Sequence, residues 1–325
     1  MTDVKEKARM FEEMLRYEGF RGGIALDAPL APLTWYRIGG PARILVEAAS
    51  TDDIRIVGKL LSEIPIPALV MGAGSNLLIS DEGFPGIVIR LEGEFQNLDV
   101  VPEALSIVAG AAAPLAKVVH EGCRIGMNGM ERLAGIPGSV GGALFMNAGT
   151  YGEYIDGLVE SVETLTESNE IIIVPRDECG FAYRTSRFRN TDEIILRCTL
   201  IGEYGDPDIL RAEVERRLEH RRNTQPIDAL SCGCVFRNPG GGRSAGRLID
   251  EAGLKGTRIG GAVISEKHAN FFINEGGACA EDILRLMAIA RKKVFELYGV
   301  RLEAEVRVAG FAEPLEAMLD ARDKE

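Results

Sequence analysis

Residues Leu133 to Gly152 read LAGIPGSVGGALFMNAGTYG, with glycine at 135, 138, 141, 142, 149 and 152 and no charged side chain. Glycine has no Cβ, so backbone amides in such a tract can approach a ligand closely and can take positive φ. The tract is too short and too glycine-broken for a spanning helix. Its polar punctuation at Ser139, Asn147 and Thr150 suits a loop that lines a cofactor. The plainer alternative is a glycine-rich turn packed on a sheet.

A second small-residue stretch lies upstream. Ala68–Met71 reads as a short strand running into Gly72-Ala73-Gly74-Ser75-Asn76-Leu77. A strand followed by such a loop offers clustered N–H groups to phosphate oxygens. It is not the dinucleotide fingerprint G-x-G-x-x-G, because Leu77 stands at the third glycine position and 79–85 reads as a loop. A Rossmann domain is therefore not expected.

Composition narrows the rest. A chain of 325 residues implies two or three domains. Hydrophobic content of 46% beside 26% charged residues implies a soluble globular protein, and no apolar run is long enough to insert in a membrane. The N-terminal MTDVKEKARMFEEML is charged and amphipathic, unlike a signal peptide, so a cytoplasmic location is expected. A net charge of −12 argues against a nucleic-acid partner. The six cysteines are scattered apart from Cys232 and Cys234, a weak zinc pattern without a second pair, so no metal is expected.

Periodicity predicts helices over 3–17, from Ser50 onward, over 113–123, 206–222 and 281–298. Strands are predicted at 43–48, 87–91, 105–109, 162–165, 171–174, 194–201, 261–265, 270–274 and 302–308. Phe181–Arg189 (FAYRTSRFR) reads as a loop that interleaves arginines with aromatics, and Asn223–Pro226 as a break before a second unit. The charged tail beyond Gly310 is expected to fray.

Seven motifs then occur in order: RIGGPA, GAGSNLL, the glycine tract, YRTSRF, SCGCVFRNP, HANFFIN and LEAEVR. Together, across roughly residues 30–310, the chain resembles the MurB family of UDP-N-acetylenolpyruvoylglucosamine reductases. The resemblance implies an α+β fold. A two-lobed FAD-binding domain of the vanillyl-alcohol-oxidase (PCMH) type precedes a C-terminal α/β substrate-binding domain. The implied boundaries are 1–84 for the first lobe with its N-terminal helix, 85–222 for the second lobe, 223–310 for the substrate domain and 311–325 for the tail. It also implies NADPH as hydride source and a nucleotide-sugar substrate. By position, Gly72, Ala73, Gly74, Ser75, Asn76 and Leu77 would hold the FAD pyrophosphate. Ile136, Pro137, Gly138, Ser139, Gly141 and Gly142 would line the flavin, with Asn147 and Gly149 nearby. No histidine is placed for covalent attachment, so dissociable FAD is expected. The stretch from Ser186 to Leu230 is too short for the tyrosine-bearing loop of one family subtype, so the loop-less subtype is expected. A monomer is expected.

The implied reaction delivers hydride to the terminal carbon of an enolpyruvyl ether and leaves negative charge on the adjacent carbon and its carboxylate. That calls for a cation or hydrogen-bond donor at the carboxylate and a separate acid at the carbon. Arg184 is the candidate cation, and Glu305, matching the second glutamate of the family motif, the candidate protonated carboxyl. Glu303, two residues away, competes if this segment is a strand. Cys234 stands where many family members have serine, and a thiol is intrinsically the better acid. Its alternative is a small buried hydrophobe. Tyr183, Arg237, Asn238 and His268 are candidate substrate contacts, with Asn270 facing the same side. The competing functions are an FAD-dependent oxidase or dehydrogenase of another small substrate, and a non-enzymatic nucleotide-sugar or metal-sensing protein using Cys232 and Cys234.

Overall fold

The structure, a computed structural model, describes residues 2–150 and 152–322. Tyr151 of the glycine tract and residues 323–325 of the tail lie outside them. The chain forms two compact units, Met1–Leu26, Arg43–Ala73 and Gly86–His220 making the first, and Asp27–Ala42, Gly74–Pro85 and Arg221–Glu325 the second. The second unit therefore takes in two segments, 27–42 and 74–85, that lie well upstream of its main body.

Helix α1 (Thr2–Tyr17) buries Ala8, Phe11 and Leu15, the stripe its spacing predicts. Strands β1 (Gly23–Pro29) and β2 (Pro41–Ala48) follow, and β2 alternates buried and half-buried positions as a strand with one covered face should. In α2 (Thr51–Glu63), Ser50 is the N-cap and accepts the Asp53 N–H at 3.2 Å. Next come β3 (Ala68–Val70), β4 (Leu77–Ile79) and β5 (Phe84–Leu91). One sheet runs in the order β1-β2-β5-β3, with β3 parallel to β5.

A second sheet is antiparallel, in the order β11-β10-β12-β7-β6, from β6 (Leu98–Val101), β7 (Ser106–Gly110), β10 (Val159–Leu165), β11 (Ile171–Pro175) and β12 (Ile194–Ile201). Between β7 and β10 the chain forms α3 (Leu115–Arg124), α4 (Val140–Met146) and a small hairpin of β8 (Gly149–Thr150) and β9 (Glu153–Tyr154). Helix α5 (Pro207–Thr224) is charged over most of its surface.

The second unit adds α6 (Ala245–Glu251), the sheet β13 (Arg258–Ile259), β14 (Ala262–Ile264), β15 (Phe272–Asn274), the long α7 (Ala280–Tyr298), β16 (Arg307–Ala309) and α8 (Leu315–Arg322). Its core is an apolar cluster in which Ile283, Leu286, Met287, Ala290 and Val294 of α7 are buried with Tyr36, Ile38 and Leu78 from the upstream segments. Asp81 accepts the Ala280 N–H with both carboxylate oxygens, at 2.9 and 3.0 Å, at the first turn of α7.

Several expectations need correcting. The stretch read as a loop at 79–85 is a loop only over 80–83; Ile79 ends β4 and Phe84 begins β5, and β4 pairs in parallel with β16 through Leu77–Arg307, Leu78–Val308 and Ile79–Ala309. Of the expected 302–308 strand only residues 307 and 308 are regular, as the start of β16; upstream, Ala304 makes an isolated bridge to Phe236. The tail expected to fray beyond Gly310 carries α8, with Met318 and Leu319 buried. Arg291, 2% exposed, holds α8 on α7 by pairing with Glu316 at 2.9 Å and Asp320 at 2.6 Å. Charge in the tail thus served a clamp rather than solvation.

Candidate active site

In the first unit the glycine tract is not all loop. Ser139 caps α4, its hydroxyl accepting the Gly142 N–H at 3.4 Å, and Asn147 ends the helix in the left-handed region at φ +43°. A Cβ at Gly72 would stand 2.5 Å from Ser139 Oγ, one at Gly141 3.0 Å from Ala111 Cβ, and one at Gly149 2.1 Å from the Glu153 carbonyl oxygen. At Gly149 the obstacle is backbone; at Gly72 it is the Ser139 hydroxyl, which would have to turn away, and at Gly141 the neighbours would have to give by a few tenths of an ångström. Gly142 differs: it is exposed, and its added Cβ would meet only Ser139 Oγ at 3.5 Å. Ile136, Pro137 and Gly138 are half-buried, with Gly138 at φ +120°. Asn147 is 1% exposed, and its side chain donates to Ala182 O at 3.1 Å and accepts Asp156 N–H at 3.3 Å. Its carboxamide therefore ties the tract to the next loop.

That loop is a tight turn. Ala182 and Thr185 exchange backbone hydrogen bonds at 3.1 Å, placing Tyr183 and Arg184 at its corner. Arg184 has φ +56°, a conformation that costs a non-glycine residue energy and that turns up at functional positions. Arg189 Nη1 donates to Arg184 O at 2.7 Å, Ser186 Oγ donates to Phe145 O at 2.9 Å, and the Arg184 guanidinium lies 5.4 Å from the Tyr183 ring centre. Tyr183 is 41% exposed and meets Tyr154 edge-on at 6.2 Å.

In the second unit the segment Ser231–Asn238 is gripped from both sides. Val235 O accepts the Glu305 N–H at 2.7 Å and the Val306 N–H at 3.3 Å, and Arg237 N–H donates to Glu303 O at 2.9 Å. On the opposite flank Cys234 bridges Phe271, and Val235 N–H donates to Asn270 O at 2.8 Å. Cys234 and Glu305 therefore sit on neighbouring paired segments, both half-buried. Asn76 joins them: its Nδ2 donates to Glu305 O at 3.2 Å, and its own carbonyl accepts the Arg307 N–H at 3.1 Å. Gly74, at φ +66°, Ser75, Asn76 and Leu77 belong to this unit, whereas Gly72 and Ala73 belong to the first.

Glu303 points elsewhere: it is 75% exposed at its side chain and lies 3.9 Å from Arg237. Arg237 Nε is buried and has no hydrogen-bond partner within the described chain. The Asn238 side chain accepts the Ala245 N–H at 3.0 Å at the start of α6. His268 packs edge-on against Phe271 at 4.9 Å, and its Nδ1 accepts the Asn270 N–H at 3.3 Å. Burial depresses its pKa, so the imidazole is neutral at neutral pH with its proton assigned to Nε2.

Two residues were misread or missed. Asn270, expected to face substrate, is 2% exposed and bonds the backbone of Phe236. Cys232 is a buried thiol that donates to Leu77 O at 3.4 Å and Gly74 O at 3.7 Å; burial pushes its pKa up to about 12, so it remains a thiol. Sequence spacing alone gives no sign of which cysteine of Cys-x-Cys turns inward.

Comparison with known proteins settles the lineage. Residues 42–174 match the FAD binding domain family, and residues 225–309 match the UDP-N-acetylenolpyruvoylglucosamine reductase C-terminal domain. The chain is 40% identical over 289 residues to UDP-N-acetylenolpyruvoylglucosamine reductase 2 of Symbiobacterium thermophilum, which covers 89% of this chain and 93% of the relative. It is 39% identical to the reductase of Heliobacterium modesticaldum, over 90% of this chain and 92% of the relative. The chain belongs to the UDP-N-acetylenolpyruvoylglucosamine reductase family. The crystal structure of the family member from Thermus caldophilus superposes with a TM-score of 0.76 at 37% identity, over 89% of this chain and 99% of that one. The expected α+β architecture, an FAD-binding domain followed by the family's C-terminal domain, is therefore met.

The residues of the first unit fit a flavin dinucleotide. Exposed, side-chain-free backbone at Gly142, half-buried Ile136 and Pro137, and a loop at Gly72 where a Cβ would press on the Ser139 hydroxyl form a surface of backbone donors and apolar edges. Among the described residues no helix is long and apolar enough to cross a membrane.

Proposed function

We propose that this chain reduces the enolpyruvyl ether of UDP-N-acetylglucosamine enolpyruvate to UDP-N-acetylmuramate in the cytoplasm, as a monomer, using NADPH and dissociable FAD. Bound FAD, reduced by NADPH, supplies the hydride that goes to the terminal carbon of the enolpyruvyl group. Cys234 donates the proton to the adjacent carbon, and the resulting thiolate is reprotonated from solvent. Arg184 and a protonated Glu305 stabilise the substrate carboxylate as charge gathers on it. Arg237, Asn238, His268 and Tyr183 bind the nucleotide sugar. The buried, unsatisfied Nε of Arg237 favours an anionic partner such as the diphosphate. Gly72–Leu77 holds the FAD pyrophosphate, and Ile136, Pro137, Gly138, Ser139, Gly141 and Gly142 line the ring, with Asn147 and Gly149 nearby. In this assignment residues 1–84 and 85–222 serve the cofactor and 223–310 the substrate.

The observation that carries the reading is the bond from the Glu305 N–H to Val235 O at 2.7 Å, which holds the carboxyl-bearing segment directly beside the thiol-bearing one. A proton donor for carbon and a donor for the carboxylate must lie within a few ångströms of one three-carbon acid, and the pairing of these two backbone segments supports that requirement. Rapid mixing tests it. In Cys234→Ala, NADPH should reduce the flavin at the normal rate while reoxidation by the enolpyruvyl substrate collapses. Normal reoxidation overturns the role of Cys234.

A further inference from the structure

We infer that Asn270 is a positioning residue for this reduction, fixing through its buried carboxamide the segment that carries Cys234. The inference rests on the reading of Cys234 as the proton donor.

Asn270 is 2% exposed, yet among the described residues its side chain hydrogen-bonds only to backbone. Its Oδ1 accepts the Phe236 N–H at 3.0 Å and its Nδ2 donates to Phe236 O at 2.8 Å. Its backbone carbonyl accepts the Val235 N–H at 2.8 Å. The carboxamide thus stands where a neighbouring strand would offer a peptide group, satisfying both backbone groups of Phe236 at once. A true strand cannot supply them here. Gly233 takes φ +74° just before Cys234, and 234–236 makes only isolated bridges, to Phe271 and to Ala304. The side chain replaces the missing ladder.

What it replaces bears directly on the reacting groups. Cys234 lies two residues before Phe236, and Val235 O receives the Glu305 N–H. The Asn270 N–H also donates to His268 Nδ1, which sets that ring's tautomer. Asn270 therefore holds with its carboxamide and its carbonyl the backbone just after the thiol, at the residue whose carbonyl receives the Glu305 N–H, and with its own N–H it bonds the imidazole. Misplacement of a reacting group by about 1 Å costs on the order of 100-fold in rate. Loss of the carboxamide should act through that misplacement.

Stopped-flow mixing of the FAD-loaded protein separates the steps. In Asn270→Ala, flavin reduction by NADPH and the FAD dissociation constant should stay within about twofold of the parent, while reoxidation by the enolpyruvyl nucleotide sugar slows about 100-fold. Asn270→Asp adds a signature that a general packing role would not give. Protonated, the introduced carboxyl can both accept from Phe236 N–H and donate to Phe236 O; ionised, it can only accept. Its reoxidation rate should therefore fall as pH rises through that carboxyl's pKa, against the parent's profile over the same range. Parallel loss of FAD affinity, reduction and reoxidation in Asn270→Ala overturns the inference, as does reoxidation within twofold of the parent. Should Asn270→Ala fail to fold, the Asn270→Asp profile decides, and a profile identical to the parent's overturns the inference. Cys234→Ala run alongside keeps the two readings apart. Normal reoxidation there overturns the role of the thiol, whereas its collapse beside a normal Asn270→Ala overturns the positioning role alone.

Discussion

At Gly72, Gly141 and Gly149 an added Cβ would come within 2.5, 3.0 and 2.1 Å of its neighbours, so this part of the first unit is specified by what the side chains leave out. Between Ser231 and Asn238 the reverse holds. There the backbone makes no regular strand, and side chains complete it: Asn270 satisfies Phe236, Cys232 reaches the carbonyls of Gly74 and Leu77, and Asn238 starts α6. The contrast suits the two tasks proposed for these regions. A dinucleotide lying along the protein needs close, unencumbered amides, whereas proton transfer needs individual groups aimed at individual atoms. The first region should be sensitive to added bulk at these glycines, and the second to the loss of a functional group.

Four experiments test or calibrate that contrast, from the largest effect to the smallest. Cys234→Ala should lower the rate of flavin reoxidation by about 1,000-fold, in the usual range for a lost general acid, with FAD affinity unchanged. A loss of FAD affinity of similar size would erase the distinction between the regions. Gly72→Ala should do the opposite, weakening FAD binding about tenfold in a titration of apoprotein by flavin fluorescence. Its Cβ must push Ser139 Oγ away from the Gly142 N–H, and a lost N-cap costs about 1 kcal/mol. Combined with Ser139→Ala, the glycine substitution should cost much less than it does alone.

Arg291→Met lies outside both regions and calibrates them against plain stability. The guanidinium is buried, but its partners Glu316 and Asp320 are half-exposed and also meet Arg301, so about 1–2 kcal/mol is expected, read as a modest fall in Tm with both half-reactions unchanged. Smallest is Glu213 on α5. Hydrogen bonds from Arg216 and then Arg217 lower its pKa to about 2. A depressed carboxyl pKa adds stability above its unfolded value near 4.5, and that increment disappears as pH falls toward 2. Glu213→Gln should therefore lower Tm by a degree or so at pH 7 and by nothing measurable near pH 2.

The sequence disclosed the first region better than the second. The glycine content marks the tract from Leu133 as a place of close approach and a candidate ligand-lining surface, although the helix inside it is not legible from the sequence. Its seven helical residues are bounded by a serine cap and a left-handed asparagine, signals that glycine content obscures. Cys234, Glu305 and Arg184 were named from the motifs, and the structure sets the first two on paired segments. The roles of Asn270 and Cys232 were not legible, because each is fixed by a partner more than 30 positions away: Phe236 for the asparagine, Gly74 and Leu77 for the thiol. The clamp on α8 escaped for a similar reason. Glu316 and Asp320 read as solvent-facing charge until a buried arginine from α7 meets them.

The interleaved path of the second unit has a consequence for how this gene can be cut and recombined. A fragment starting at Arg221 would lack the strand that β16 lies against, the aspartate at the start of α7, and the ring of Tyr36 that fills part of the apolar interior. Chimeras between relatives that exchange only the C-terminal third should therefore mispack, and those that carry residues 27–42 and 74–85 along with it should not.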